Sequence, residues 1–238
     1  MLAGLTRPGF APREESMLEV FKHLIIRGDP PNLSRLLEEI ADHPATGWRH
    51  NRDREPRNMP KLGAGYGIAV FRWDGPNVAP SADLYLKGRG EILEVTNIVP
   101  VHIPKLSYSE YNSIINNFVS TNILTRQESF HLKIEVTPDR LPITHWLTEE
   151  AASLLTAFSN SANRSIPHPL DRERWRAFLI RAHFDRTTLD TETLFRWLTE
   201  EERWPEEAAE SLIIEFEFAQ ELLDDYDKKY SDRPHRGC

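Results

Sequence analysis

The residues best suited to chemistry lie between Asn163 and His183, where Arg164, His168, Asp171, Arg172, Arg174, Trp175, Arg176, Arg181 and His183 crowd one loop and the helix it opens. Arginine forks bind phosphate or carboxylate, and a histidine can exchange a proton near neutral pH. Arg172 and Arg176 stand one turn apart and share a helix face, while Trp175, Phe178, Leu179 and Ala182 form the stripe that turns inward. His168 precedes Pro169 at a helix start. The cluster therefore admits three readings: caps and ion pairs to acidic helices, a site for an anionic ligand or RNA, or acid–base chemistry at His168 or His183. A second cluster, Trp48, Arg49, Arg52 and Asp53, sits in a polar loop. There Trp48 reads as an anchor and Arg52 with Asp53 as a surface pair, with an aromatic and arginine patch for an acidic partner as the alternative.

Established templates are missing. The chain has no phosphate-binding G-x-x-x-x-G-K-[ST] loop, no G-x-G-x-x-G after a strand and no G-x-S-x-G elbow. Its nine histidines lack the H-E-x-x-H spacing that places two ligands on one helix face, and the single cysteine, Cys238, excludes a cysteine-pair metal site and an intrachain disulfide. We therefore expect no cofactor and no metal, and leave the catalytic residues unassigned.

The elements that must position these side chains change character along the chain. Residues 1–16 read as a loose arm without the apolar core of a secretory signal, an expectation of a cytoplasmic protein. Met17 to Arg27 reads as a strand, and Gly28-Asp29-Pro30 opens a helix carrying Leu33, Leu36, Leu37 and Ile40. From Tyr66, three alternating segments separated by Asp74-Gly75-Pro76 and Gly88-Arg89-Gly90 predict antiparallel strands. Ser107 and Glu110 form an S-x-x-E capping box before a helix, and Phe130 to Thr137 supplies a last strand. Beyond Pro142 the strand signals cease and four helices are expected, over 149–160, 170–183, 191–202 and 206 to about 230. The expectation is an α+β fold: a mainly antiparallel sheet with two helices over 17–142, a helical lobe over 143–230 and a polar tail over 231–238.

Charge sharpens this division. Of a formal net charge of −8, Thr187 to Tyr230 contributes −10, from 14 acidic residues against four basic ones, so the rest of the chain sums to +2. The basic segments are Arg49 to Lys61 and Arg164 to Arg186. An acidic total disfavours nucleic acid as the main partner, although local basic patches keep a nucleic-acid phosphate as an alternative. No apolar run approaches the roughly 18 residues that span a bilayer, so no membrane partner is expected. The last helix spaces Leu212, Phe216, Ala219, Leu223, Tyr226 and Tyr230 by steps of four and three. That seam packs on its own domain or, as an interface of Leu212, Phe216, Leu223 and Tyr226, meets a protein partner or a second protomer.

The blocks RGDPPNLSRLLEEI, GWRHNRDRE, VTNIVPVHIPKLSYSEYN, LTAFSNSANRSIPHPLDRERWRAFLIRAH and RWLTEEERWPEEAAESLIIEFEFAQELL are similar to those of a family of bacterial hypothetical proteins that shares them from end to end. The resemblance implies a bacterial intracellular protein of one architecture and transfers no catalytic residue; a glycine-containing stretch expected between Arg164 and His168 is missing here. The order strand, helix, three strands, helix, strand also resembles acetyltransferases of the GNAT superfamily. Those enzymes hold the coenzyme A pyrophosphate on a glycine-rich turn. The corresponding connection here, His102 to Ser107, has no glycine and contains Pro104. The sequence thus points to an interaction or regulatory protein, as in a toxin–antitoxin or defence module. A divergent acyl-coenzyme A transferase, or an RNA-acting enzyme using the His and Arg cluster, stands as the alternative. A pocket lined by His168, Arg172 and His183 would favour an enzyme, and an apolar strip on the last helix a binding protein.

Overall fold

The computed structural model describes residues 16–56, 66–75, 79–162 and 168–230. It is an α+β protein whose strands lie in the N-terminal part and whose long helices lie in the C-terminal part. Two compact units divide it: Glu19–Asp139, and Met1–Leu18 together with Arg140–Cys238.

The expected first strand is two, β1 (Met17–Glu19) and β2 (Leu24–Arg27). After β2, Asp29 in an extended conformation followed by Pro30 and Pro31 starts α1 (Pro30–Asp42), because proline lacks the N–H that a first turn leaves unused. Then come β3 (Trp48–His50), a single 3-10 turn at Arg52–Arg54, β4 (Tyr66–Trp73), β5 (Ala82–Arg89) and β6 (Ile92–Pro100). Gly90, at φ 60°, makes the tight β5–β6 turn, a conformation that a side chain opposes. The predicted capping box starts α2 (Tyr108–Phe118): Ser107 Oγ accepts from Glu110 N at 3.2 Å and Glu110 Oε2 accepts from Ser107 N at 2.8 Å. The sheet closes with β7 (Lys133–Val136).

The strand order is β3-β4-β5-β6-β2-β7, and every pairing is antiparallel. Side chains alternate between the faces. Ala69, Phe71, Trp73, Leu84, Leu86, Leu24 and Ile26 therefore join Leu36, Ile40, Ile115 and Phe118 of the two helices in one core. Arg72, Asp83, Arg27 and Glu135 fall at the intervening positions and form the polar face. Between β5 and β6 the register shifts, so Tyr85 faces Asn97 while Leu86 faces Val95, leaving Thr96 as an extra residue.

The second unit pairs β1 with β8 (Arg140–Pro142) and packs α3 (Glu149–Ser161), α4 (Pro169–Phe184), α5 (Thr191–Arg196) and α6 (Glu206–Tyr230) around Leu155, Phe178, Leu194, Trp197 and Leu198. The expected helix over 191–202 continues beyond Arg196 as a π turn over Trp197–Glu201, which buries both Trp197 and Leu198. Leu18, fully buried, belongs to this core and not to that of the sheet.

Candidate functional site

The histidines and arginines of α4 do not converge. His168 is the N-cap: its Nδ1 accepts from Leu170 N at 3.2 Å, and its own N–H donates to Asp171 Oδ2 at 3.1 Å, a reciprocal cap that orients the first turn. His183 lies fifteen residues further on, about 22 Å along a helix, too far for both to act on one reacting centre. It faces α6 instead, with Nε2 3.1 Å from Asp227 and Nδ1 3.6 Å from Asp224. Arg172 is exposed and borders a small groove with Asp171, Trp175, Leu212 and Glu215. Arg176 is also exposed, Arg174 pairs with Asp171 at 3.2 Å, and Arg164 lies outside the described residues. Arg181 donates to Asp185 at 2.7 Å and lies 3.1 Å from Glu150. Thr148 Oγ1 also donates to Asp185, and that bond, then Arg181, holds the Asp185 carboxyl below its ordinary value. These contacts fasten helices to one another. The groove that Arg172 borders is lined by neither His168 nor His183.

The second cluster is equally structural at its centre. Trp48 is buried, its indole N–H donating to Asn117 Oδ1 at 2.8 Å and its ring resting on Trp73 and Phe118. Arg49 pairs with Asp74 at 2.8 Å, and Arg52 donates to His50 Nδ1 at 3.3 Å where a pair with Asp53 was expected. His50 Nε2 in turn is 2.6 Å from Glu55 Oε1. Beside them lies a buried carboxylate that spacing did not reveal. Asp83 accepts from Arg72 at 2.8 and 2.6 Å and from Asn51 at 2.9 Å, with Arg54 3.7 Å away. Burial pushes its pKa up, but the hydrogen bonds from Arg72 and Asn51 and the charges of Arg72 and Arg54 outweigh it, so the carboxyl sits below its usual range. Its only sequence signal was an aspartate within the alternation of β5, which marks the polar face without naming a partner.

On α6 the seam and the free surface separate. Phe216 is 4% exposed and stacks on Phe178, Leu212 is half-buried, and Gln220 donates to Leu179 O at 3.3 Å. Of the candidate interface residues, Phe216 and Leu212 pack within their own unit, Leu223 is half-buried and Tyr226 is exposed. A different stripe faces outward: Ile214 is 67% exposed, Phe218 64%, Leu222 57% and Tyr226 60%. These residues recur every fourth position over about 18 Å of helix. Glu217, Glu221 and Asp225, three positions after each of the first three, form an exposed acidic row beside them. Sequence reading missed this stripe because both apolar rows lie on one helix, and a steps-of-four-and-three seam follows the inner one and meets the outer one only at Tyr226.

Among the described residues no group of three or more His, Cys, Asp and Glu side chains is gathered for a metal, and no helix is long and apolar enough to cross a membrane. Comparison with protein-family models, curated proteins and solved structures finds no match to this chain, so its functional reading rests on its own surfaces.

Proposed function

We propose that this is an interaction protein whose docking face is the outer side of α6, and that its partner presents an amphipathic helix with basic flanks. One observation carries this reading: four large apolar side chains are more than half exposed in a single row on α6. Scattered exposed apolar residues need no explanation, whereas an ordered row bordered by charge is the form of a helix-in-groove or helix-on-helix contact.

The sign of the partner follows from electrostatics. From Glu206 to Asp227 the helix carries nine acidic residues and no Lys or Arg. Two copies laid face to face would oppose acidic rows, which repel, while lysines or arginines flanking a complementary stripe would pair with Glu217, Glu221 and Asp225. Covering four such side chains supplies on the order of 4–8 kcal/mol before the cost of association is subtracted, so the complex is a reversible one that depends on its charge pairs.

The test uses fluorescence anisotropy with the full chain and two synthetic helical peptides of identical leucine stripe, one flanked by Lys and one by Glu. The basic peptide should bind at micromolar concentration and weaken roughly tenfold between 50 and 500 mM salt; the acidic one should not bind. Phe218→Asp with Leu222→Asp should abolish binding and leave the thermal midpoint unchanged, because both side chains are solvated. Equal binding of the two peptides, or a chain that self-associates until these substitutions are made, would overturn the proposal.

A further inference from the structure

Strand β6 spans Ile92–Pro100, but β2 pairs with it only where Ile25, Ile26 and Arg27 meet Glu94, Leu93 and Ile92. Among the described residues no strand lies along the outer side of β6 from Thr96 to Pro100. The preceding chain is held instead by α2 and by Asp139. Asn112, buried on α2, donates from Nδ2 to Val20 O at 2.8 Å and accepts on Oδ1 from Lys22 N at 2.7 Å. Those two bonds satisfy Val20 C=O and Lys22 N–H, and Val20 N–H donates to Asp139 O at 2.8 Å, so these groups do not need β6.

Between the separated segments lies an open groove of about 380 Å³, lined by Phe21, Asn97, Val99, Pro104, Lys105 and Tyr111 among others. Phe21 is 41% exposed although its ring rests on Tyr108 and Tyr111 at 4.2 and 4.7 Å, and Val99 is 39% exposed. The extra residue Thr96 makes two consecutive side chains of β6, Thr96 and Asn97, exposed, and Asn97 lines the groove. Charge around it is nearly balanced. Lys22 pairs with Asp139 at 3.2 Å, Glu110 is held by the Ser107 cap, and Lys105 is exposed with no ion pair among the described residues.

We propose that this groove binds an extended, acidic segment of another protein, laid alongside the uncovered part of β6 as an added strand. An apolar side chain of the segment rests on Phe21, Val99 and Tyr111, and a neighbouring carboxylate meets Lys105. An extended backbone suits the place because it alone offers a row of free N–H and C=O groups to a strand edge, whereas a helix spends its own internally. The uncompensated cation at the rim selects the acidic version. This surface shares no residue with the outer side of α6, so either proposal can fail without the other.

The probes are three seven-residue peptides: one alternating Val and Glu, one alternating Val and Lys, and the Val–Glu peptide N-methylated at alternate amides. Amide chemical shifts of the full-length chain report binding. The Val–Glu peptide should shift the signals of Asn97, Val99 and Lys105, and bind at least tenfold more tightly than either of the others. Lys105→Glu should reverse the preference for Glu over Lys, while Phe218→Asp should leave it unchanged. Lys105 is exposed, so its variant is expected to fold, which an unaltered thermal midpoint checks. The inference is overturned if no peptide moves these signals up to millimolar concentration, or if the N-methylated peptide binds equally well. It is also overturned if the unliganded chain dimerises through this edge, as shown by a sedimentation shift that Val99→Glu abolishes.

Discussion

Asp83 shows how a single buried carboxylate binds a loop to a sheet. It lies on β5, yet its partners come from β4 (Arg72), from the end of β3 (Asn51) and from the following turn (Arg54). Removing it leaves the Arg72 guanidinium, itself mostly covered, without the carboxylate that binds it directly, and breaking such a pair costs about 3 kcal/mol. We expect Asp83→Ala to lower the urea midpoint accordingly. The pH dependence has a definite sign. Because the folded carboxyl lies below its ordinary value, the unfolded chain binds more protons between the two values, so this stabilisation is complete above the ordinary aspartate range near 4 and lost as pH falls through the lower, folded value. Asp74, which accepts from Arg49 and Ser81 against the opposing effect of burial, acts in the same direction. The wild-type midpoint should therefore drop between pH 5 and pH 3, and that drop should be smaller in Asp83→Asn. An equal drop in both would show that Asp83 is not a source of the acid sensitivity.

At the scale of elements, what periodicity can see is what the sequence made legible. The Ser107–Glu110 cap, the proline-led start of α1, the three hairpin-linked strands and the stripe of α4 all follow from local rules and stand where those rules put them. Non-local partners were not legible: the chain between β1 and β2 is held by Asn112, some ninety residues away, and His183 meets carboxylates of α6. The two apolar rows of α6 show the same limit, since only tertiary packing decides which is buried. They also give the sharpest contrast to measure. Phe216→Ala empties a packed site against Phe178 and should cost about 3–5 kcal/mol. Phe218→Ala removes an exposed ring and should stay within about 0.5 kcal/mol. Denaturant midpoints of the two variants check the assignment of inner and outer faces; comparable losses would refute it.

For the whole molecule, the consequential feature is that the chain crosses between its two units near residue 18 and again near residue 139. The sheet unit is one continuous segment, whereas the helical unit is assembled from the C-terminal part and a short N-terminal strand. Leu18 is fully buried in the helical core, β1 pairs with β8, and Ser16 Oγ reaches Glu202 at 3.4 Å, a carboxylate also bound by Ser159 at 2.9 Å. Leu18→Ala should therefore act far from its place in sequence. Emptying that site costs about 2–5 kcal/mol, and the cost falls on the unit whose core contains it. Hydrogen exchange should show lost protection in α3, α4 and α6, with the amides of β4, β5 and β6 unchanged. Loss of protection spread evenly over both sets would mean that the units unfold as one and that the N-terminal strand is not a private part of the helical core.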